Sequence, residues 1–169
     1  MAASLARCYI DTSVFIWYLH SAATDGYDKA EKFLKDIAGG KYQGVTSNFV
    51  RFEYRGYLKE IKAMVNGANA SKKDLEVLID KLDRLIEDYG IEEVAADYLL
   101  GQTWIDDCEE VVTQCQPTLV KNDWKTIKGA DAIHAVVADR ARTQQLATLD
   151  NGFKSLRGSV SPFVLWDVY

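Results

Sequence analysis

The order of segments in this chain predicts an α/β fold, three layers deep (α/β/α), around a central, mostly parallel sheet. Three observations carry that expectation. Short runs of strand length alternate with longer segments of helical spacing, as repeated strand–helix units require. The apolar run that ends at Tyr9-Ile10 passes straight into Asp11-Thr12-Ser13 and then a helical pattern, the signature of a strand's carboxyl end in such a sheet. The 169 residues contain no repeat, low-complexity tract or linker, so a single domain spanning 1–169 is expected.

Arg7 to Ile10 reads as the first strand and Ser13 to His20 as the helix after it, capped by Thr12 or Ser13. Tyr27, Ala30, Phe33, Leu34 and Ile37 recur at helical spacing until Gly39-Gly40 stops them. Gln43 to Thr46 is a short strand, and Ser47-Asn48 opens a helix reaching about Met64. A turn is expected at Asn66-Gly67-Ala68-Asn69. Ser71-Lys72-Lys73-Asp74 has the form of a capping box. It precedes Leu75, Leu78, Ile79, Leu82, Leu85 and Ile86, an amphipathic helix that Gly90 ends. Ile91 to Val94 is a third strand candidate. Leu100, Trp104, Cys108, Val112 and Cys115 then form one helical stripe, with Asp106, Asp107, Glu109 and Glu110 as its solvated face. Pro117 to Lys128 reads as irregular, Ala130 to Ala141 as a helix and Leu146 to Leu149 as a strand. Asn151 to Leu156 is a turn or short helix. Val160 to Trp166 is a last strand whose Pro162 suits an edge.

Composition narrows the function classes. The net charge of −5 counts against a non-specific nucleic-acid binder, which is strongly basic. It leaves room for an enzyme whose acidic site is neutralised by metal ions. Cys8, Cys108 and Cys115 make no zinc-ligand pattern, and their odd number argues against a disulfide scaffold. His20 and His134 are too few and too separated for a zinc site. Neither a signal peptide nor a membrane span is visible, so a cytoplasmic location is expected.

Four carboxylates need an explanation. Asp11 and Asp150 each stand at the carboxyl end of a predicted strand. Asp131 opens the helix leading into the second of those strands, and Glu53 lies about a turn and a half into the helix after Gln43 to Thr46. Singly, each has an ordinary account: a helix cap for Asp131, a turn residue for Asp150, a salt bridge for Glu53. Jointly they do not. In a parallel sheet these corners share one edge, and acids gathered in one pocket repel each other unless cations offset them. Such a cluster suits hard divalent ions, Mg²⁺ or Mn²⁺ rather than zinc. Two such ions can activate a water and stabilise the leaving oxygen of a phosphodiester.

At these residues the chain resembles the PIN-domain nucleases, in particular the VapC-type toxin ribonucleases of toxin–antitoxin systems. The matching pieces are Tyr9-Ile10-Asp11-Thr12-Ser13, the helix acid Glu53, Gly129-Ala130-Asp131-Ala132-Ile133-His134-Ala135 and Thr148-Leu149-Asp150-Asn151-Gly152-Phe153. The resemblance spans almost the whole chain. It implies an endoribonuclease that hydrolyses RNA phosphodiesters, with Asp11, Glu53, Asp131 and Asp150 as catalytic metal ligands for Mg²⁺ or Mn²⁺. Thr12, Ser13 and Thr148 become supporting polar contacts. A homodimer and a cognate antitoxin are implied as well. The chain departs from compact members in its generous helix pair over Ser71 to Cys115 and in an extended stretch ahead of Asp131.

Basic residues suggest where RNA would lie. Arg51, Arg55, Lys59 and Lys62 form a stripe on the Glu53 helix, read either as phosphate contacts or as a solvated face. Lys121, Lys125 and Lys128, with Trp124 among them, are a second group. His134, one turn after Asp131, reads first as a packed histidine and second as a neighbour of the site. Two alternatives stay open: an RNA-processing nuclease outside any toxin system, and a non-catalytic module whose acidic pocket docks a basic segment. A haloacid-dehalogenase-type phosphatase is disfavoured, because it needs an Asp where Ser13 stands.

Overall fold

The computed structural model describes residues 5–66, 72–115, 118–120, 123–125, 127–156 and 160–169, with side chains described for all of these except 62–66, 72–74, 118–120 and 123–125. The first strand, β1 (Ala6–Ile10), runs into α1 (Thr12–His20), one residue earlier than the sequence suggests. The cap is Asp11 itself, whose carboxylate accepts from the Ser13 N–H; it displaces Thr12 and Ser13 from that role. Then come α2 (Asp25–Ala38), β2 (Tyr42–Ser47), α3 (Asn48–Asn66) and α4 (Lys72–Asp88). Gly40 and Gly90, both at positive φ, lie just beyond α2 and α4. The expected capping box at Ser71 and the turn at 67–69 lie outside the described residues.

After β3 (Glu92–Val94) the chain departs from its periodicity. Leu100 to Cys115 is not one helix but α5 (Ala96–Leu100) and α6 (Trp104–Gln114), parted at Gly101, whose φ of 59° and ψ of −156° only glycine adopts without strain. The 117–128 stretch, expected to be irregular, holds a short antiparallel ladder of β4 (Thr118–Val120) and β5 (Asp123–Lys125). Next are α7 (Gly129–Arg140), β6 (Gln145–Thr148), a 3-10 turn over Asn151–Ser155 and β7 (Ser161–Val164). The last strand is shorter than expected, because Leu165–Val168 turns into α8.

The main sheet has five strands in the order β3-β2-β1-β6-β7, parallel throughout. β7 is an edge strand, which accommodates Pro162. One apolar layer packs Val14, Phe15, Phe33, Leu34, Tyr54 and Leu82 beneath α1 to α4; the other packs Tyr9, Val45, Val137, Leu146 and Phe153 beneath α7 and its neighbours. The three-layer arrangement is therefore α/β/α. The three cysteines are buried and free. No helix among the described residues is long and apolar enough to cross a membrane.

Contact between α1 and α2 sets the attitude of the helix that carries Asp11 at its start. Gly26, in the first turn of α2, lies under the Trp17 ring, and a Cβ there would stand 2.3 Å from it. Trp17 in turn meets Trp166 edge-on at 5.6 Å. Gly26→Ala is expected to cost about 1–3 kcal/mol by overpacking. Thermal denaturation should show a fall in Tm of roughly 2–4 °C for each kcal/mol lost.

Candidate metal-dependent active site

Parallel order places the carboxyl ends of β1, β2 and β6 side by side, and the four acids arrive there from four stretches of chain. Asp11 follows β1, Asp150 follows β6, Glu53 projects from the second turn of α3 and Asp131 from the first turn of α7. Together with Thr12, Ser13, Ile16, Gly56, Tyr57 and Glu60 they line an open cleft of about 330 Å³. Nothing stands within 4 Å of where a Gly56 Cβ would be, so the α3 wall is unobstructed at that point.

Asp11 is almost fully buried and the most heavily held of the four. Its Oδ2 accepts from Ser13 Oγ at 2.5 Å, Thr148 Oγ1 at 2.8 Å and the Ser13 N–H at 3.3 Å. Both hydroxyls are themselves directed by backbone: Leu149 N–H donates to Ser13 Oγ, and Asp150 N–H donates to Thr148 Oγ1, each at 2.9 Å. Asp131 is not the N-cap expected from sequence. Lys128 holds that place, and Asp131, three residues on, accepts from the Lys128 N–H through Oδ2 at 2.8 Å. Asp150 Oδ1 accepts from Gly152 N–H at 2.7 Å. In each of these aspartates a local donor fixes one oxygen. Among the described residues, no hydrogen-bond donor other than His134 approaches the second.

Glu53 is held by side chains alone. Thr12 Oγ1 donates to its Oε2 at 2.5 Å, and His134 Nε2 stands 2.5 Å from the same oxygen. His134 also lies 3.3 Å from Asp11 Oδ1 and 3.2 Å from Thr12 Oγ1. Its Nδ1 meets the Tyr9 hydroxyl at 2.9 Å, which reaches Ser47 Oγ at 2.7 Å. His134 is thus both packed, at 1 % exposure, and part of the site. The sequence offered a signal for it: i+3 on a helix shares a face with Asp131, and Tyr9 shares its strand face with Asp11. The sequence alone assigns Ser47, Tyr9 and Glu60 no role in the site.

The electrostatics follow from burial and crowding. Burial opposes the ionised form of Glu53, but hydrogen bonds from His134 and Thr12 hold its carboxyl below the usual range. Burial also disfavours imidazolium at His134, yet the carboxylates of Glu53, Asp11 and Asp131 outweigh it and raise the ring's pKa. Asp131 has the least relief. Burial, then the charges of Asp11 and Asp150, push it up to about 6 against the Lys128 N–H bond. Oxygen-rich donors with free lone pairs and an unrelieved negative charge are what Mg²⁺ or Mn²⁺ requires, so the residues fit such an ion.

The basic stripe lies elsewhere. Positions two and six residues after Glu53 are about 200° and 240° around a helix, which turns Arg55 and Lys59 away from the cleft. They line a groove with Leu75, Ile79 and Asp83 of α4. Arg51 is committed to ion pairs with Glu93, at 2.7 Å, and Asp83. Arg51, Arg55 and Lys59 thus stand outside the lining of the acidic cleft. Lys128 is exposed at the start of α7. Lys125 belongs to β5, but its side chain, like Lys62, Lys121 and Trp124, lies outside what is described. On α6, Asp107 pairs with Arg140 and so is not part of a purely solvated face.

Comparison with known proteins agrees with this architecture. The family model described as PIN domain matches residues 8–159. A chain of VapBC2 from Rickettsia felis, solved bound to a DNA fragment from the promoter, superposes with a TM-score of 0.57 at 15% identity, covering 93% of this chain and 97% of that one. Mycobacterium tuberculosis VapC20, a toxin that cleaves the sarcin–ricin loop, gives 0.42 at 18% identity, covering 87% and 92%. No curated protein matches by sequence.

Asp131 generates a pH prediction for the metal-free protein. Its folded pKa lies above the unfolded value of 3.8, so its contribution to stability is complete below pH 3.8 and lost as pH rises to about 6. Asp131→Asn should remove that slope. Denaturation in EDTA should then find the variant more stable than the parent at pH 7 by on the order of 1–2 kcal/mol, with the gap closing towards pH 4.

Proposed function

This chain belongs to the PIN-domain family, and on that footing we propose that it is a Mg²⁺- or Mn²⁺-dependent endoribonuclease, the toxin of a type II toxin–antitoxin pair. Residues 1–169 act as one nuclease domain, with Asp11, Glu53, Asp131 and Asp150 as catalytic metal ligands. The observation that carries the reading is the convergence of four carboxylates on one open cleft, three of them with one oxygen pinned and one left over. The toxin assignment draws support from the family and from the likeness to a chain of a VapBC complex, which also makes a cognate antitoxin and a homodimer part of the proposal. RNA is the substrate that the resemblance implies, and the cytoplasm the compartment.

Bound divalent ions would lower the pKa of an attacking water and offset charge on the leaving oxygen of the phosphodiester. The chain's own residues set the stage for that. Ser13 and Thr148, their hydroxyls polarised by the Leu149 and Asp150 amides, hold Asp11 in one orientation. Thr12 fixes Glu53 at the opposite wall, so the two acids present their oxygens without rearranging. Lys128 is the phosphate contact of this reading, supported by its exposure at the start of α7, where the first-turn amides favour negative charge.

Asp11→Asn should abolish Mn²⁺-dependent cleavage of a mixed RNA pool, as EDTA should for the parent, while metal-free stability stays level or rises because one charge of the cluster is gone. Unchanged cutting by that variant would sink the site assignment. Parent protein that binds no Mn²⁺ in calorimetry and cuts nothing would favour a docking role for the acidic cleft.

A further inference from the structure

We propose that His134 is a nitrogen ligand of the divalent ion at this site, so that the site is a mixed nitrogen and oxygen centre preferring Mn²⁺ to Mg²⁺. The inference rests on the metal-dependent reading of the cleft and adds a ligand to it. Donor atoms of Asp11, Glu53 and His134 all lie within 4.8 Å of one another. His134 Nε2 is 3.3 Å from Asp11 Oδ1 and 2.5 Å from Glu53 Oε2. Two ligands of an octahedral ion at about 2.1 Å stand roughly 3.0 Å apart across an edge, so the spacing to Asp11 is close to that of neighbours in one coordination shell, while the shorter approach to Glu53 is a hydrogen bond that a bound ion would replace.

Three further features direct the ring. Asp11 Oδ2 is already taken by three donors, leaving Oδ1 as its ligand atom, and Oδ1 is the oxygen that faces Nε2. On the far side of the ring, Nδ1 meets the Tyr9 hydroxyl at 2.9 Å. In the metal-free protein Nε2 holds hydrogen towards Glu53; an ion bound there would release that proton to solvent. With hydrogen kept on Nδ1 and donated to Tyr9, the Nε2 lone pair would face the ion, while Tyr9 donates onward to Ser47, 2.7 Å away. Such an outer contact fixes the tautomer and orientation of metal-binding imidazoles. Finally, the ring is wedged: Phe49 packs against it at 5.1 Å between centroids, and the side chain is 1 % exposed. It has no room to swing away when the cleft fills.

The consequence is selectivity. Mg²⁺ keeps to oxygen ligands and retains waters, whereas imidazole suits the transition ions. A carboxylate-only cleft would separate the two ions less. Tyr9 is by the same logic a positioning residue, acting through His134.

Electron spin echo envelope modulation on the full chain loaded with Mn²⁺ tests this without reference to activity. The expected spectrum shows imidazole ¹⁴N modulation that persists in His20→Gln, whose ring lies against Tyr54, and is lost in His134→Gln. Calorimetry with Mn²⁺ and with Mg²⁺ should show Mn²⁺ affinity falling about tenfold or more in His134→Gln and in Tyr9→Phe, with a smaller change for Mg²⁺. Mn²⁺ bound to the parent without nitrogen modulation would overturn the proposal and leave the acidic metal site standing. No Mn²⁺ binding by the parent would overturn both. The parent's spectrum decides the matter even if His134→Gln fails to fold.

Discussion

A carboxylate buried at the junction of β1 and α1 is the constraint around which the site is built. Asp11 is 5 % exposed, and a charge so placed is costly unless fixed donors surround it. They do so in a defined order. Backbone amides at the end of β6 donate to Ser13 and Thr148, and those hydroxyls, their lone pairs engaged, have their hydrogens left for Asp11. The backbone of one strand thereby holds the charge at the end of its neighbour. The arrangement depends on β1 and β6 being adjacent and parallel, since only then do Asp11 and Thr148 end at the same level.

The rest of the cleft follows from sheet order. With β1 central, β2 on one side and β6 on the other, the segments after all three strands leave from one edge. The chain after β1 and β6 needs no further device to deliver an acid there. After β2 it does: Ser47 is consumed by Tyr9, and the acid is delivered from the second turn of α3. Glu53 is therefore the acid whose position depends on side-chain packing alone, through Thr12 and His134. Asp131 arrives by a third route, as the N3 residue of α7, where it satisfies an orphan N–H of its own helix.

Much of this was legible in the sequence, for identifiable reasons. Period and punctuation placed the strand that ends at Ile10, the strand expected to end at Leu149 and found to end at Thr148, and the helices after Asp11 and Gly129, and a common sheet edge for the acids followed. What failed were features that periodicity does not encode. A four-residue recurrence from Leu100 to Cys115 continues in phase across Gly101, so the break there is visible only in its φ and ψ. The β4–β5 ladder is three residues long on each side, too short for alternation to register. The basic stripe stays open in the sequence between phosphate contact and solvated face. Spacing along the helix shows only that Arg55, two residues after Glu53, is more than half a turn from it, and not what either face meets. His134 was hidden by a real property: it is a packed histidine, and the packing is what presents its nitrogen to Asp11 and Glu53.

The distribution of donors also divides the cleft into unequal halves. Asp11 has three donors to one oxygen, and Glu53 has two partners on one oxygen. Asp131 and Asp150 each have a single backbone donor. The charge that the fold leaves unrelieved therefore collects on the less constrained side, and Asp131, with its carboxyl near 6, is where it shows. A cluster equally satisfied on all sides would be more stable and would have no reason to take up a cation. For the proposed metal site this would mean one side held well enough to fix an ion's position and the other under-compensated enough to attract it, a division that follows from hydrogen bonding alone. It also identifies the α7 side, where Lys128 stands exposed, as the less constrained wall of the cleft.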